Sequence, residues 1–226
     1  MKKAVGLLAY CVTAACFAEP SIVDSALVFD VAENASEEYG ERIPDTCTKV
    51  VKKGLGTLTM SGNSGDFHGD VEIQEGVIVA THMNALGRGT GTMGISTPNT
   101  ISVAKGAQLR ATFLSDKSDG NSEGRGFRSI IKIAGDGPDG NGAFYYTPTD
   151  TATLPYWLVW KFELTDDASI GGTANYFARS LDLKFKTLTV DMKSMLHFYW
   201  TVSIDNPGNI VTKVAPKFHV DRKSVV

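Results

Sequence analysis

Along this chain apolar and polar residues alternate in short bursts, each closed by glycine, asparagine, aspartate or proline. The apolar positions do not recur at the three- and four-residue spacing of an amphipathic helix. Their period is two, which sends successive side chains to opposite faces of an extended strand. The pattern predicts strands at Leu27–Val31, Thr57–Met60, Val71–Ile73, Val77–Val79, Thr100–Val103, Gln108–Thr112 and Ile130–Ile133. A second set follows at Trp157–Leu164, Ser169–Ile170, Leu181–Phe185, Thr187–Val190, Phe198–Ile204 and Asn209–Val214. Strands this short and numerous, with turn residues between them, indicate an all-β protein.

Two of the bursts share a template. "VEIQEGVIVAT" (Val71–Thr81) and "ISVAKGAQLRA" (Ile101–Ala111) each place two alternating apolar residues before two polar ones, a glycine and a second alternating strand. Gly76 and Gly106 lie 30 residues apart, and self-similarity at such a period marks a solenoid. Two independent hairpins turning at those glycines would give the same pattern.

The longer pattern resembles a known family. "VVKKGLGTLTMSG" (Val50–Gly62) is followed by "GDVEIQEGVIVA" (Gly69–Ala80), "NALGRG" (Asn84–Gly89) and "ISVAKGAQL" (Ile101–Leu109). "DASIGG" (Asp167–Gly172), "LDLKFKTLTV" (Leu181–Val190) and "NPGNIV" (Asn206–Val211) come later. In this order the pieces resemble the autotransporter-associated β-strand repeat proteins, over most of residues 27–214. The resemblance implies a right-handed, single-stranded parallel β-helix of the pectin-lyase-like kind, in which each strand forms one side of a coil. Leu181, Leu183 and Phe185 would then face the bore, with Asp182, Lys184 and Lys186 outside. Leu158, Trp160, Phe162 and Leu164 would face in against Trp157, Val159, Lys161 and Glu163, and Phe198, Trp200, Val202 and Ile204 would repeat the arrangement. Two departures stand out: "NSGDFHG" (Asn63–Gly69) replaces the family's usual turn after the first strand, and Phe185 stands where a glycine is expected.

The ends add a compartment. Lys2 and Lys3 precede an apolar run, Ala4–Phe17, and Ala18 offers a small residue before Glu19 and Pro20. Residues 1–18 therefore read as a cleavable secretory signal peptide. Cys16 ends a "TAAC" box that could instead carry lipid, although Thr13 stands where such boxes usually have leucine. Residues 19–214 form the expected repeat region. The segment 215–226 abandons the pattern, and "DRKSVV" (Asp221–Val226) reads like translated sequencing adapter, so truncation of the chain is expected there. Cys47 is the one cysteine beyond the leader, which excludes an internal disulfide after cleavage. The formal charge is −3 and grows more negative when the two leader lysines are lost. Nucleic acid, which needs clustered cations, is not an expected partner.

Candidate chemistry is sparse. "GTGTMG" places Gly89, Gly91 and Gly94 at dinucleotide spacing, but Pro98 follows where a helix would have to begin, so a turn is expected. Asp116, Asp119, Asn121 and Glu123, and separately Asp136, Asp139 and Asn141, offer hard oxygen ligands for calcium without the spacing of a known loop. His68, His82, His197 and His219 form no metal-binding pair, and Cys47 has no cysteine partner for zinc. Asp166 and Asp167 are adjacent and would point to opposite faces of a strand. Tyr156, Trp157, Tyr199 and Trp200 invite a sugar-stacking reading, with Trp157 and Tyr199 the outward pair. No catalytic residue, cofactor or metal is expected.

The sequence thus leads us to expect a non-enzymatic secreted or cell-surface β-solenoid, a stalk or adhesin-like passenger. Its expected partners are a surface polysaccharide or host protein, with edge-to-edge self-association at an open end. The alternative is an extracellular carbohydrate-active β-helix enzyme, a polysaccharide lyase or glycoside hydrolase. Asp167, Arg179, Asp182 and Lys184 are the nearest acid–base set for it.

Overall fold

Nineteen strands account for the secondary structure of the described residues, and none of these residues is helical. The computed structural model describes residues 16–17, 20–90, 97–113, 126–149, 159–173, 176–192, 196–198, 204–206, 208–213 and 219–220. In chain order the strands are β1 (Cys16–Phe17), β2 (Ser21–Val23), β3 (Ala26–Asp30), β4 (Ser36–Tyr39), β5 (Lys49–Lys53), β6 (Thr57–Met60) and β7 (Asp70–Ile73). Then come β8 (Val77–Ala80), β9 (Thr100–Val103), β10 (Gln108–Ala111), β11 (Phe127–Gly135), β12 (Phe144–Tyr146) and the long β13 (Val159–Gly172). The last are β14 (Tyr176–Asp182), β15 (Thr187–Met192), β16 (Leu196–Phe198), β17 (Ile204–Asp205), β18 (Asn209–Thr212) and β19 (His219–Val220).

Strands that follow each other along the chain do not, as a rule, pair; alternate ones do. β3, β5, β7, β9, β11 and the first half of β13 form one parallel ladder, continued by β14 and β17. β4, β6, β8, β10, β12, the second half of β13, β15 and β18 form the other. β7 and β8 therefore flank the Gly76 corner without turning back on one another, which removes the hairpin alternative. The result is a curled, mostly parallel sheet compatible with a β-solenoid. The one antiparallel pair among the described residues is β2 on β3, where it covers the first edge of the ladder.

Register turns the alternation of the sequence into columns. Leu27, Val50, Val71, Ile101, Ile131, Phe162 and Leu181 stack one above the next, and all seven are buried. In the second ladder Leu58, Ile78, Leu109, Phe144, Ile170 and Val190 do the same. Burying each such side chain contributes roughly 1.5–3 kcal/mol. That answers how strands of four residues hold together: the layers above and below supply the contacts. Edge-to-face rings link Phe113 to Phe127 at 5.1 Å, Phe127 to Phe144 at 6.4 Å and Phe144 to Phe162 at 5.1 Å.

Several expectations need correction. Phe185 does not face the core; it is 72% exposed. β14 ends at Asp182, and Leu183–Lys186 form a turn closed by the Lys186 amide on the Leu183 carbonyl at 2.7 Å. Lys184 and Phe185 sit there with φ of 48° and 61°. Asp182 is buried rather than exposed. On β13, Val159 is buried and Trp160 half-buried, the reverse of simple alternation. The cause is a bulge: Phe127 pairs with Val159 and Ile130 with Lys161, so two residues of β11 oppose one of β13 and the phase shifts. Strands β1, β2, β4, β5, β12 and β19 lie outside the strands the pattern predicts, β4, β5 and β12 because they carry no clean alternation in sequence, and the separate strands predicted at Trp157–Leu164 and Ser169–Ile170 are joined in β13.

Candidate functional site

The outer face of the first ladder gathers the ionisable side chains. Each inward residue of a strand is flanked by outward ones, so register that stacks the core also stacks the charges. Glu72, Ser102, Lys132, Glu163 and Asp182 form one outward column on β7, β9, β11, β13 and β14. Lys49 and Lys161 belong to the neighbouring column.

Lys49 Nζ donates to Glu72 Oε1 at 2.8 Å, and Gln74 Nε2 donates to Glu72 Oε2 at 3.2 Å. The hydrogen bond from Lys49 pulls the Glu72 carboxyl below its usual range and raises the lysine in return. Lys161 Nζ lies 2.8 Å from Glu163 Oε1 and 3.7 Å from Asp182 Oδ2. Lys184 Nζ approaches the same Asp182 oxygen at 3.2 Å. Burial opposes ionisation of Asp182, but hydrogen bonds from Asn206 and Lys184, with the lysine charge, outweigh it and hold the carboxyl low. Carboxylates held ionised in this way are poor proton donors near neutrality. They suit the binding of hydroxyls and cations.

Between these ion pairs the column dips. Ser102 is short, and its neighbours Glu72 and Lys132 are long, so the surface sinks into a depression of about 260 Å³ at the ends of β7 and β9. Ile73, Gln74, Val103, Ala104 and Thr165 complete its wall.

Further charges lie at the corner and on the second face. Lys105 Nζ reaches Asp166 Oδ2 at 3.3 Å across an intervening layer, where Gly135 leaves room: a Cβ there would lie 2.9 Å from Lys105 Cγ. The Asp167 amide, and then Lys105, lower the Asp166 carboxyl, while Asp167 Oδ1 accepts the Thr187 amide at 2.7 Å. On the second ladder the Arg110 guanidinium sits 5.6 Å from the centroid of the Tyr145 ring and bonds Gln108 Oε1 at 2.8 Å. Gln108 Nε2 in turn donates to the Gly142 carbonyl at 2.7 Å, which pins the 136–142 loop to the sheet.

The residues singled out from sequence are mostly not brought together. Asp182 and Lys184 meet, Asp167 is engaged at the corner, and the Arg179 side chain lies outside the described residues. Asp136, Asp139 and Asn141 are all exposed on their loop. No group of three or more His, Cys, Asp or Glu among the described residues is placed to hold a metal ion. Asp116, Asp119, Asn121 and Glu123 lie outside the described residues, as do Tyr156, Trp157, Tyr199, Trp200, Gly91 and Gly94. So do the side chains of Cys16, His197 and His219, and the tail Asp221–Val226. Gly89 is buried against Pro98. His68 Nδ1 lies 2.7 Å from the Arg88 carbonyl oxygen. Cys47 is a buried free thiol. No helix among the described residues is long and apolar enough to cross a membrane.

Sequence reasoning passed over Glu72, Ser102 and Lys132 because outward polar positions look like any solvated face. The signal was there in the repeat: the three residues are spaced by the same 30 positions as the two corner glycines. Comparison of the chain with protein-family models, curated proteins and solved structures finds no match.

Proposed function

We propose that this chain is a secreted or cell-surface, non-enzymatic passenger module: a right-handed, single-stranded parallel β-helix serving as a stalk or adhesin-like element. The observation that carries the reading is the layer-on-layer parallel stacking from β3 to β17 in one ladder and from β4 to β18 in the other, with the register shifting where β11 meets β13. Eight layers at roughly 4.8 Å each would make a rod of about 35 Å with flat, charge-striped sides. A rod of this kind holds loops and shallow surface features away from a cell, and repetition of weak contacts supplies avidity. The expected leader, residues 1–18, supports export, and the family resemblance supports the passenger role.

The test is localisation together with adhesion in cells that make the full chain. Surface exposure should be seen by protease shaving of intact cells, and the expressing cells should gain retention on polysaccharide- or matrix-coated plates. Retention of the chain inside protease-treated cells would overturn the reading. Release of shortened products from a polysaccharide panel would replace it with the carbohydrate-active enzyme alternative.

A further inference from the structure

We infer that the depression between Glu72 and Lys132 is a subsite for one hexuronate unit of an acidic glycan. The inference deepens the passenger reading, on which it rests for the kind of partner, by giving that partner a site and a chemistry. Lys132 is half-buried at the rim and makes no ion pair among the described residues. The glutamates of its column are otherwise engaged: Glu163, next to it, bonds Lys161 at 2.8 Å, and Glu72, beyond Ser102, bonds Lys49 at 2.8 Å. A single cation therefore faces a cavity of about 260 Å³, room enough for one sugar ring.

The rest of the wall selects the ligand. Glu72 and Gln74 present acceptors, while Ser102 and Thr165 present hydroxyls, the second donating to the Ile133 carbonyl at 3.2 Å, which leaves its oxygen free to accept. Ala104, exposed beside the buried Val103, adds aliphatic surface for the C–H face of a ring. With Glu72 and Glu163 already paired to Lys49 and Lys161, the one remaining cation balances a single carboxylate, and a phosphate dianion or an acidic peptide would bring more negative charge than it can match. A hexuronate brings one carboxylate for Lys132 and several hydroxyls to donate to Glu72, so its charge and hydrogen bonds both match.

The test is titration of the full chain with a hyaluronan hexasaccharide at low ionic strength, with maltohexaose as the neutral control and free glucuronate as a third arm. Binding should be seen with the first and not with the neutral sugar. The amide resonances of Ser102, Lys132 and Thr165 should move. Comparable affinity for free glucuronate would assign the site to a single sugar acid, and a marked preference for the hexasaccharide to the polymer. Lys132→Gln should weaken binding about tenfold by removing a charge-assisted bond. Ser102→Leu should do the same by filling the cavity with the charge intact, and both variants should melt with the parent. No binding of the acidic sugars, unaltered affinity in both variants, or shifts confined to other amides would overturn the assignment. Localisation is read separately, so a failure here leaves the export reading standing, and a failure of export leaves the subsite to be judged by its own titration.

Discussion

Gly76 packs against Gly54 so closely that a Cβ on Gly76 would stand 2.6 Å from the Gly54 carbonyl oxygen. The two corners belong to consecutive layers, and both glycines take positive φ, 67° and 70°. Gly106 repeats the turn one layer on, with φ of 84°, but has nothing within 4 Å of its missing side chain. The same substitution should therefore separate backbone strain from steric contact. Gly106→Ala is expected to cost about 1 kcal/mol, the conformational term alone. Gly76→Ala should cost about 3 kcal/mol or more, because backbone atoms of the lower layer must shift as well. Urea unfolding of the two variants checks this, and equal losses would mean that the corners are not stacked.

Phe185 occupies the turn position that Gly106 holds in an earlier layer: Ala107 bonds Ala104 at 3.0 Å as Lys186 bonds Leu183 at 2.7 Å. A large side chain at φ 61° and 72% exposure gains little from burial and bears the left-handed strain. Phe185→Gly is expected to stabilise the protein by about 1 kcal/mol. Thermal unfolding would show it as a raised midpoint; a lowered one would assign Phe185 a packing role that its exposure denies.

These two corners also show what could be read from sequence. Leu181, Leu183, Phe162 and Leu164 were legible as core because strand alternation holds through them. Phe185 was not, since period two carries no notice of where a strand stops and the chain enters a turn. Val159 and Trp160 were misassigned because a bulge on β11, a different strand, shifts their phase. Lys52 was hidden for another reason. It shares the inward parity of Val50, but a lysine amid Lys49 and Lys53 looks like part of a solvated loop. The outer charges were visible as residues and not as a site, since pairing between layers depends on register.

Lys52 stands in an inward column between Phe29 and Ile73 and is fully buried. Its Nζ donates to the carbonyls of Lys53 at 2.8 Å, Gly54 at 2.6 Å and Glu75 at 3.3 Å, so the ammonium ties two corners together. Lys52→Met keeps the aliphatic packing and leaves those carbonyls without their donor, for an expected loss of about 1–3 kcal/mol at neutral pH. Burial, opposed by Asp30, Glu75 and Glu37, lowers the lysine below its ordinary 10.5. Below its folded value the charged form carries that burial cost, and the cost disappears as pH rises toward 10.5. Wild type should thus gain stability relative to Lys52→Met on going from neutral to alkaline pH in paired denaturant titrations. A gap that stays constant with pH would mean that the ammonium is not desolvated.

Asp182 gives the opposite pH signature on the outer face. Its carboxylate is held by Lys184 at 3.2 Å, Lys161 at 3.7 Å and the Asn206 amide at 3.3 Å. Its folded value lies below the ordinary 3.8, so ionisation stabilises the fold above 3.8, and that contribution is lost as pH falls through the folded value. Asp182→Asn keeps a hydrogen-bond acceptor for Asn206 and removes the charge facing two lysines that are themselves partly exposed. The expected loss at neutral pH is about 1–2 kcal/mol, between the values for exposed and buried pairs. Wild type and variant should converge in strong acid, where the aspartate is neutral in both folded and unfolded chains. Melting curves run from neutral pH into that range read the effect directly. A difference that persists undiminished in acid would show that Asp182 acts through shape and hydrogen bonding, with its charge contributing nothing to the stacking of β14 on β13.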